Sequence, residues 1–397
     1  MGFEIRGSIL VGYDSESGVT DVEIPEGVTE INDFAVSDDD YVIRSVIIPE
    51  SVLKIGRFAF ANCRGLKSIR LPKNVKKVGR NAFSGCCSLE EILVDGDNAF
   101  YASVDGVLLT KDMKSIVMFP GGKSGDYVAP ESVSRVCRRA FGRCVNLVSV
   151  TLPGRIESIE FDAFNRCRSL ESVDMPNGVE KIEGYVFSDC KKLSRVTGIT
   201  DDIEMSDTAF NNCPGMADAD GFLIRNGVLQ EYFGDRETVS IPEGTKEIRR
   251  YAFQLHGEIK TVIIPASVEK IGGGAFNGCA GLADPEGFVT VRGVLYSYHG
   301  DGGAIAIPGT VEEISDAVFE DRDYVESVVV PESVKRIAAG AFAECGGLKE
   351  VTFLSDDLAL DEFRNAYFEE ETVCFRAREG STAQRYAQER GIRFVKI

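Results

Sequence analysis

The residues of this chain most able to do chemistry are its eleven cysteines, and eight of them recur in one pattern. In each case a Phe is followed three residues later by a Cys, and within uninterrupted runs the step is 23 residues. The pairs are Phe60/Cys63, Phe83/Cys86, Phe141/Cys144, Phe164/Cys167, Phe187/Cys190, Phe210/Cys213, Phe276/Cys279 and Phe342/Cys345. Such thiols could form disulfides, bind zinc or pack in a core.

The fixed position of these eight cysteines favours packing. Free Cys is among the most buried residue types, so we interpret the eight as a buried column of small side chains. Disulfide scaffolds are small, whereas this chain has 397 residues and a repeating apolar pattern. Zinc is disfavoured because no Cys-x-x-Cys pair occurs and the chain has only His256 and His299. Cys87, Cys137 and Cys374 lie outside the column, and their redox state is left open.

Enzyme motifs do not occur in the chain. There is no G-x-x-x-x-G-K-[ST] loop, no G-x-S-x-G elbow and no H-E-x-x-H. Clusters of Asp and Gly at 38–40, 95–97 and 218–221 do not continue into a calcium loop that ends in Glu, so we interpret them as solvated turns. The sequence therefore predicts a protein that is not an enzyme and has no catalytic residue, cofactor or metal site.

The repeat unit begins with the pattern of a strand. From Leu66 the chain reads L-x-x-I-x-L-P-x-x-V-x-x-V-G-x-x-A-F-x-x-C and then returns to Leu89. Alternating apolar residues before the Pro are typical of a half-buried strand. The Pro lacks an amide hydrogen, so it ends the pairing and starts the return path. The Ala-Phe dipeptide is expected to pack inward from a turn or short helical piece.

These repeats resemble the BspA-like leucine-rich repeat family of bacterial proteins. The resemblance covers nearly the whole chain and rests on L-x-x-I-x-L-P, V-x-x-I-G, A-F and the following Cys, in constant order over eight or more units. It implies a repeat solenoid: a right-handed coil of the leucine-rich-repeat type with a long parallel sheet on one face and turns or short helical pieces on the other. For some members it implies bacterial surface adhesion, and it implies no catalytic residues.

Four segments interrupt the 23-residue step and resemble one another. Each holds a Gly-centred apolar pair and a Gly- and Asp-rich turn, which predicts a hairpin-like variant coil. The variant coils are expected near residues 1–25, 95–129, 218–241 and 284–307.

The domain prediction is one continuous leucine-rich repeat solenoid over 1–354 and a C-terminal cap over 355–397. In the cap, Ser381 or Thr382 begins a short helix, Gly391 ends it and a last strand follows.

Charge varies along the chain. The net charge is −19, yet residues 49–150 hold sixteen basic and nine acidic side chains, and 51–89 hold nine Lys and Arg and no Asp or Glu. Counted from each repeat's Pro, the basic residues of the candidate patch are Lys54, Lys77 and Arg135 at the fifth position and Arg57, Arg80 and Arg138 at the eighth. Coils that stack at about 4.8 Å place like charges close together, although a variant coil before Arg135 would separate the third pair. We interpret the six as a patch for an acidic glycan, an acidic protein or a membrane surface, or else as a solvated return face.

The exposed face of the predicted sheet is a second candidate surface. Apolar residues stand two positions before the repeat's Pro or its equivalent at Ile47, Leu93, Ile263 and Val329. Strand propensity alone accounts for β-branched residues at such positions. The alternative is a flat binding surface to which these side chains supply apolar contacts.

The function predicted from these features is a non-catalytic protein-interaction or adhesion module that binds a protein or glycan through the solenoid surface. The alternative is an intracellular scaffold with no surface role. No nucleic-acid partner is expected, and no apolar run reaches the length of a transmembrane segment. Residues 1–7 lack a charged leader before an apolar stretch, so either no signal peptide exists and the protein is cytoplasmic, or it was removed and the protein is extracellular or at the cell surface. The ligand, the oligomeric state and the binding face are left open.

Overall fold

The chain folds as two compact units, unit 1 over Met1–Ala217 and unit 2 over Asp218–Ile397. The structure, a computed structural model, describes residues 2–14, 20–37, 43–176, 179–200, 203–206, 208–320, 322–343, 345–361 and 373–397. The acidic cluster at 38–40 and residues 362–372 of the predicted cap lie outside the described residues. One solenoid up to residue 354 with a separate cap after it stays a prediction.

Unit 1 is built from short strands. They are β1 (Gly2–Arg6), β2 (Ile9–Asp14), β3 (Asp21–Glu23), β4 (Glu30–Ile31), β5 (Ser45–Ile47), β6 (Lys54–Ile55), β7 (Ser68–Leu71), β8 (Lys77–Val78), β9 (Glu91–Val94), β10 (Tyr101–Val104), β11 (Val107–Thr110), β12 (Ser115–Met118), β13 (Gly125–Val128), β14 (Arg135–Val136), β15 (Leu147–Thr151), β16 (Ser158–Ile159), β17 (Ser172–Asp174), β18 (Lys181–Ile182), β19 (Arg195–Val196) and β20 (Glu204–Met205). A 3₁₀ helix covers Pro214–Met216.

Each ordinary coil of unit 1 contributes to two parallel ladders. The segment before the repeat's Pro forms one set of sheets, with strand orders β3-β5, β7-β9 and β13-β15-β17-β19. The V-x-x-I-G segment forms two-residue strands in a second set, ordered β1-β2-β4-β6-β8 and β10-β11-β12-β14-β16-β18-β20. The predicted parallel-sheet solenoid is confirmed. The second ladder, on the return side where only turns or helical pieces were expected, was not predicted.

Unit 2 repeats this arrangement. Its strands are β21 (Phe222–Arg225), β22 (Val228–Tyr232), β23 (Thr238–Ser240), β24 (Glu247–Ile248), β25 (Thr261–Ile263), β26 (Lys270–Ile271), β27 (Phe288–Val291), β28 (Val294–Tyr298), β29 (Ala304–Ala306), β30 (Glu313–Ile314), β31 (Ser327–Val330), β32 (Arg336–Ile337), β33 (Glu350–Phe353), β34 (Ala359–Leu360), β35 (Cys374–Ala377) and β36 (Arg393–Lys396). The sheets are ordered β21-β22-β24-β26, β23-β25, β27-β28-β30-β32-β34 and β29-β31-β33-β35-β36. A 3₁₀ helix covers Ala280–Leu282, and helix α1 covers Thr382–Arg390.

The variant coils enter the short-strand ladders as antiparallel hairpins, as predicted. The pairs are β1 with β2, β10 with β11, β21 with β22, and β27 with β28. Gly7, Gly106, Gly227 and Gly293 stand in the tight turns with φ between 64° and 78°, a conformation that costs Gly little. The second strand of each hairpin then pairs in parallel with the next coil, except after β11, where β12 intervenes.

The last helix of the chain has the predicted ends. The Ser381 hydroxyl accepts a hydrogen bond from the Gln384 N–H, and Gly391 follows the helix with φ 70°. Strand β36 then pairs with β35, which pairs with β33. Among the described residues, no helix reaches the length and apolarity that a membrane crossing requires.

A ladder of stacked aromatic rings forms the core of each unit. Phe141, Phe164 and Phe187 are fully buried, and neighbouring ring centroids lie 4.6 and 5.4 Å apart with the rings nearly parallel. The variant coil near residues 95–129 supplies Phe119, whose ring lies 5.0 Å from that of Phe141. In unit 2 the hairpin residue Tyr232 continues the ladder in the same way. The variant coils therefore supply a ring that packs against the aromatic residue of the following ordinary coil.

The repeated cysteines also donate hydrogen bonds between coils, in addition to the packing role that was predicted. The Sγ atom of Cys167 lies 2.9 Å from the carbonyl oxygen of Phe141, and that of Cys190 lies 3.1 Å from the carbonyl oxygen of Phe164. Equivalent contacts occur at Cys63, Cys86, Cys144, Cys213 and Cys279, whereas the Sγ atom of Cys345 lies 3.6 Å from the carbonyl oxygen of Arg322, at the Cys position of the preceding coil. A thiol is small enough for this position and is a weak donor.

Two residues that replace Cys in the repeat keep this hydrogen bond. His256 places its Nε2 atom 2.9 Å from the carbonyl oxygen of Tyr232, and its Nδ1 atom contacts Glu258. Arg322 donates from Nε to the carbonyl oxygen of Tyr298 at 3.1 Å. Both replacements follow a variant coil whose ladder residue is Tyr. The Cys position of the repeat is therefore occupied by side chains that can donate a hydrogen bond to the preceding coil. His256 has this structural role.

The Gly of the V-G motif allows two coils to approach closely. A Cβ atom on Gly79 would lie 2.4 Å from the carbonyl carbon of Gly56, so Gly79→Ala should lower the free energy of unfolding by about 1–3 kcal/mol. A Cβ atom on Gly96 would meet nothing within 4 Å, so Gly96→Ala should leave stability unchanged or raise it by up to about 1 kcal/mol. Urea denaturation followed by circular dichroism measures both. Equal effects of the two substitutions would contradict the close approach.

Candidate interaction surface

The short-strand ladder of unit 1 brings two of the predicted basic residues together. In β4, β6 and β8 the residues Glu30, Lys54 and Lys77 are direct neighbours in parallel register. Like charges opposite each other in a sheet are destabilising. The predicted proximity of Lys54 and Lys77 is therefore present in the structure, at one end of this five-stranded sheet.

Two of the six predicted patch residues are neutralised by the preceding coil. Lys54 forms an ion pair with Glu30, and Arg57 donates from Nε to Asp33 at 3.1 Å. Hydrogen bonds from the Arg57 backbone N–H and guanidinium lower the pKa of Asp33. The acidic segment before residue 48 thus supplies counter-charges to the first basic coil.

The next coil carries basic side chains that lack such partners. Lys73, Lys76, Lys77 and Arg80 are exposed, and none forms an ion pair with any residue that the structure describes. We call these four residues the basic band. Lys77 and Arg80 were predicted from the repeat positions. Lys73 and Lys76 were missed, although the run P-K-N-V-K-K was a usable signal.

Arg135 and Arg138 lie apart from the basic band. Arg135 is in β14, which pairs with β12 and β16 rather than with β8, and its guanidinium donates to the Ser115 hydroxyl. The Arg138 guanidinium stacks over the Phe161 ring, 4.4 Å from its centroid. The variant coil thus separates the third predicted pair from the first two.

The four candidate apolar contacts of the sheet face have no apolar partner directly beside them across the strand ladders of their own unit, apart from Ala306 beside Val329. Ile47 and Ile263 are 58% and 54% exposed, whereas Leu93 and Val329 are half-buried. Their neighbours across the ladders are polar, charged or small: Glu23 beside Ile47, Arg70 beside Leu93, Ser240 beside Ile263, and Ala306 and Thr352 beside Val329. Val128, which is 70% exposed, was not among the four. Within each unit, the described residues form no continuous apolar strip along these ladders.

The described residues contain few arrangements that resemble a catalytic site. No three His, Cys, Asp or Glu side chains among them come together as a metal site would require. The Ser297 hydroxyl lies 2.9 Å from Nε2 of His299, but Ser297 is only 4% exposed. Burial and the nearby Arg322 lower the pKa of His299. A buried hydroxyl is poorly placed to attack a substrate, so we interpret this pair as structural.

Cys87 should react faster with thiol reagents than the other cysteines. None of the eleven cysteines forms a disulfide, and Cys87 is the exposed one. Burial raises the pKa of Cys279 to about 12 and those of Cys345 and Cys137 to about 11, so these thiols stay protonated and unreactive near neutral pH. A soluble maleimide at pH 7.5 should therefore label one thiol rapidly, and Cys87→Ser should remove that phase. Fast labelling of any of the eight cysteines of the column would contradict their burial.

Comparisons with known proteins gave matches at the level of the family and of the fold. The BspA type leucine rich repeat region, defined over six copies, matches residues 13–104, 119–220, 231–292 and 246–373. Among curated proteins, none matches the chain.

Several solved structures of bacterial leucine-rich repeat proteins are similar to the chain. The pneumococcal vaccine antigen PcpA is 18% identical over 96% of this chain and 68% of its own, with a TM-score of 0.34. A leucine rich cell surface protein from Faecalibacterium prausnitzii is 24% identical over 87% and 90%, with a TM-score of 0.41. A leucine-rich repeat protein from Bacteroides ovatus is 22% identical over 98% and 94%, with a TM-score of 0.35.

The family match covers well over half of the chain. Its repeats coincide with the segments that form the parallel ladders and the aromatic core. The chain therefore belongs to the BspA type leucine-rich repeat family, whose repeats generally serve as non-enzymatic interaction modules.

Proposed function

We propose that this protein is a non-catalytic interaction protein that binds an anionic macromolecule, an acidic protein or acidic glycan, through the basic band of unit 1. The observation that carries the proposal is the charge of that band. Lys73, Lys76, Lys77 and Arg80 are exposed in a stretch without a single Asp or Glu, and none of them forms an ion pair with a residue that the structure describes. The chain as a whole carries a net charge of −19.

The electrostatic repulsion within the basic band favours a role in binding an anionic partner. Other basic side chains of the same ladders are paired across coils, such as Lys54 with Glu30 and Lys181 with Glu204. Lys77 instead stands beside Lys54, an arrangement that costs stability. An anionic partner would offset that repulsion and would be drawn to the band by its field.

The sheet face supports the proposal less well. Among the described residues, its exposed apolar side chains Ile47 and Ile263 stand beside the polar residues Glu23 and Ser240 in their ladders. In the coil that carries the band, the sheet-face residue two positions before the Pro is Arg70 rather than an apolar residue, so charge would supply most of the attraction. The binding should therefore weaken as salt screens it.

The experiment that tests the proposal is a binding survey with the intact chain. Arrays of acidic glycans, acidic proteins and matched neutral ones would be probed at about 50 mM and about 500 mM salt, where the Debye length falls severalfold. We expect binding to acidic partners that is strong at low salt and lost at high salt. Binding that is equal on neutral and acidic partners, or insensitive to salt, would refute the proposal.

A second candidate function is an intracellular scaffold, which the absence of disulfides favours. Eleven cysteines that form no disulfide, one of them exposed, are better tolerated in a reducing compartment. A membrane-impermeant maleimide applied to intact producing cells would label Cys87 only if the protein were outside the cell. Labelling only after lysis would favour the scaffold over a surface role.

A further inference from the structure

The turns that carry the Phe-x-x-Cys motif are joined from coil to coil by three backbone hydrogen bonds. In the coil at 139–143 the N–H groups of Arg139, Phe141 and Arg143 donate to carbonyl oxygens of the next coil at 3.3, 2.8 and 2.8 Å. In the coil at 58–62 the N–H groups of Phe58, Phe60 and Asn62 do the same. The donors therefore occupy fixed positions and point toward the following coil.

The coil at 81–85 precedes the variant coil, and its three equivalent donors are unused. The N–H groups of Asn81, Phe83 and Gly85 form no hydrogen bond with any described residue. The variant coil supplies Phe119 to the aromatic ladder but follows it with Pro120 and two glycines instead of a full turn. A gap remains on the outside of the ladder between residues 81–87 and 139–143.

The equivalent gap in unit 2 is bridged by side chains. There the Gly274 N–H donates to the Ser315 hydroxyl at 2.9 Å, and the Asn277 amide donates to the Asp316 carbonyl oxygen. Arg250 forms an ion pair with Asp316 across the same position. An open gap is thus not a necessary result of inserting a variant coil.

The gap in unit 1 is lined by arginines. A cavity of about 350 Å³ is bounded by Asn81, Ser84, Arg139, Gly142, Arg143, Asp162, Asn165 and Arg166, and it shares five of these residues with a neighbouring cavity of about 50 Å³ that reaches Phe83 and Gly85. Arg139 donates to Asp162 at 2.8 Å, and Arg166 lies 3.5 Å from Asp189. Arg143 has no carboxylate within ion-pair distance among the described residues. We call this cavity the arginine pocket.

The electrostatics of the arginine pocket leave room for an anion. Its lining has three guanidiniums, of which Arg139 pairs with Asp162 and Arg166 with Asp189, so the positive charge of Arg143 is left without a carboxylate among the described residues. Partial burial and the guanidiniums of Arg166, Arg139 and Arg168 lower the pKa of Arg143. Unused backbone N–H groups beside guanidiniums are a typical anion-binding arrangement.

We propose that the arginine pocket binds a tetrahedral dianion, a phosphate monoester or a sulfate group, between Arg143 and the unused backbone N–H groups of residues 81–85. The charged oxygens of such a group would pair with the Arg143 guanidinium, which has no carboxylate partner among the described residues. Three or four oxygens can accept hydrogen bonds from several donors at once, which a chloride ion cannot. The cavity volume lies at the lower end of the range for small-molecule sites, so a sugar-sized carrier of the charged group fits as well.

This site is separate from the basic band, and its proposal does not rest on the proposed function. The band residues Lys73, Lys76, Lys77 and Arg80 do not line the pocket, although Arg80 directly precedes Asn81. Each site can therefore be removed without altering the other. If small anions do not bind the arginine pocket, the proposed binding of a macromolecule by the basic band is not contradicted. If no macromolecule binds the basic band, the proposed anion site is not contradicted.

Isothermal titration calorimetry with the full chain tests the pocket. The probes are inorganic sulfate, inorganic phosphate, glucose 6-phosphate, and glucose as the uncharged control. We expect saturable binding of the dianions with one site per chain and no binding of glucose. Tighter binding of glucose 6-phosphate than of inorganic phosphate would identify an ester-borne group as the ligand, whereas equal binding would identify the free ion.

Two variants link the binding to the pocket. Arg143→Gln should weaken dianion binding at least about tenfold, because it removes a charged donor. Asn165→Asp keeps the shape of a lining residue but adds negative charge, and it should weaken binding as well. Arg155→Gln removes an exposed Arg elsewhere in unit 1 and should have no effect. Absence of saturable dianion binding, or equal binding by wild type, Arg143→Gln and Asn165→Asp, would overturn the proposal.

Discussion

Replacing Phe164 by Ala should lower the free energy of unfolding by about 4 kcal/mol, the largest effect expected of a single substitution in this chain. The Phe164 side chain is fully buried and its ring stacks between those of Phe141 and Phe187. Removal of the ring leaves a cavity in a core that each coil shares with its neighbours, so two interfaces are weakened at once. Urea denaturation followed by circular dichroism measures the loss.

A matched substitution controls for the removal of a Phe as such. Phe100 is 45% exposed in the variant coil of the same unit, and Phe100→Ala should change stability by no more than about 0.5 kcal/mol. If Phe164→Ala cost no more than Phe100→Ala, the aromatic ladder would not be what holds the coils together. A loss of several kcal/mol at Phe164 alone is the expected result.

Reversing the charge of the basic band should abolish most of the salt-sensitive binding of an anionic partner. The double substitution Lys77→Glu and Arg80→Glu replaces two attractive contacts by two repulsive ones, which we expect to cost roughly 2 kcal/mol, about 30-fold in Kd at low salt. Unit 1 should remain folded, because a Glu at position 77 would stand beside Lys54. Binding at several salt concentrations measures the effect.

The choice of these two positions follows from the structure. A Glu at position 54 would face Glu30, so a loss of binding by that variant could reflect a destabilised fold. Arg155→Glu with Lys192→Glu makes the same change of charge at two exposed positions of unit 1 outside the band and should leave Kd unchanged. Equal losses by both double variants would indicate a response to net charge alone.

The repeat made much of the fold predictable from sequence. A fixed step with Phe, Cys, Pro and Gly at constant positions predicts stacked coils, and the hairpins were predicted from their Gly-centred apolar pairs. The second ladder was not foreseen because a two-residue strand such as β8 is too short to show alternation. The hydrogen bond from Cys167 to the Phe141 carbonyl was missed because a buried thiol looks the same in sequence whether or not it donates.

The candidate surface was predictable only in part. The sequence shows which coils are basic, but ion pairs between coils depend on register, so the neutralisation of Lys54 by Glu30 became clear only from the ladder. The arginine pocket was not predicted, because it depends on a turn that the variant coil lacks and on backbone donors left unused beside it.

Lysine footprinting of the bound complex tests the central claim most directly. Acetylation of surface amines, read by mass spectrometry with and without the anionic partner, reports which side chains the partner covers. We predict that Lys73, Lys76 and Lys77 become protected while Lys192 of unit 1 and Lys335 of unit 2 keep their reactivity. Protection at Lys192 or Lys335 with an unprotected band would contradict the assignment of the basic band as the binding surface.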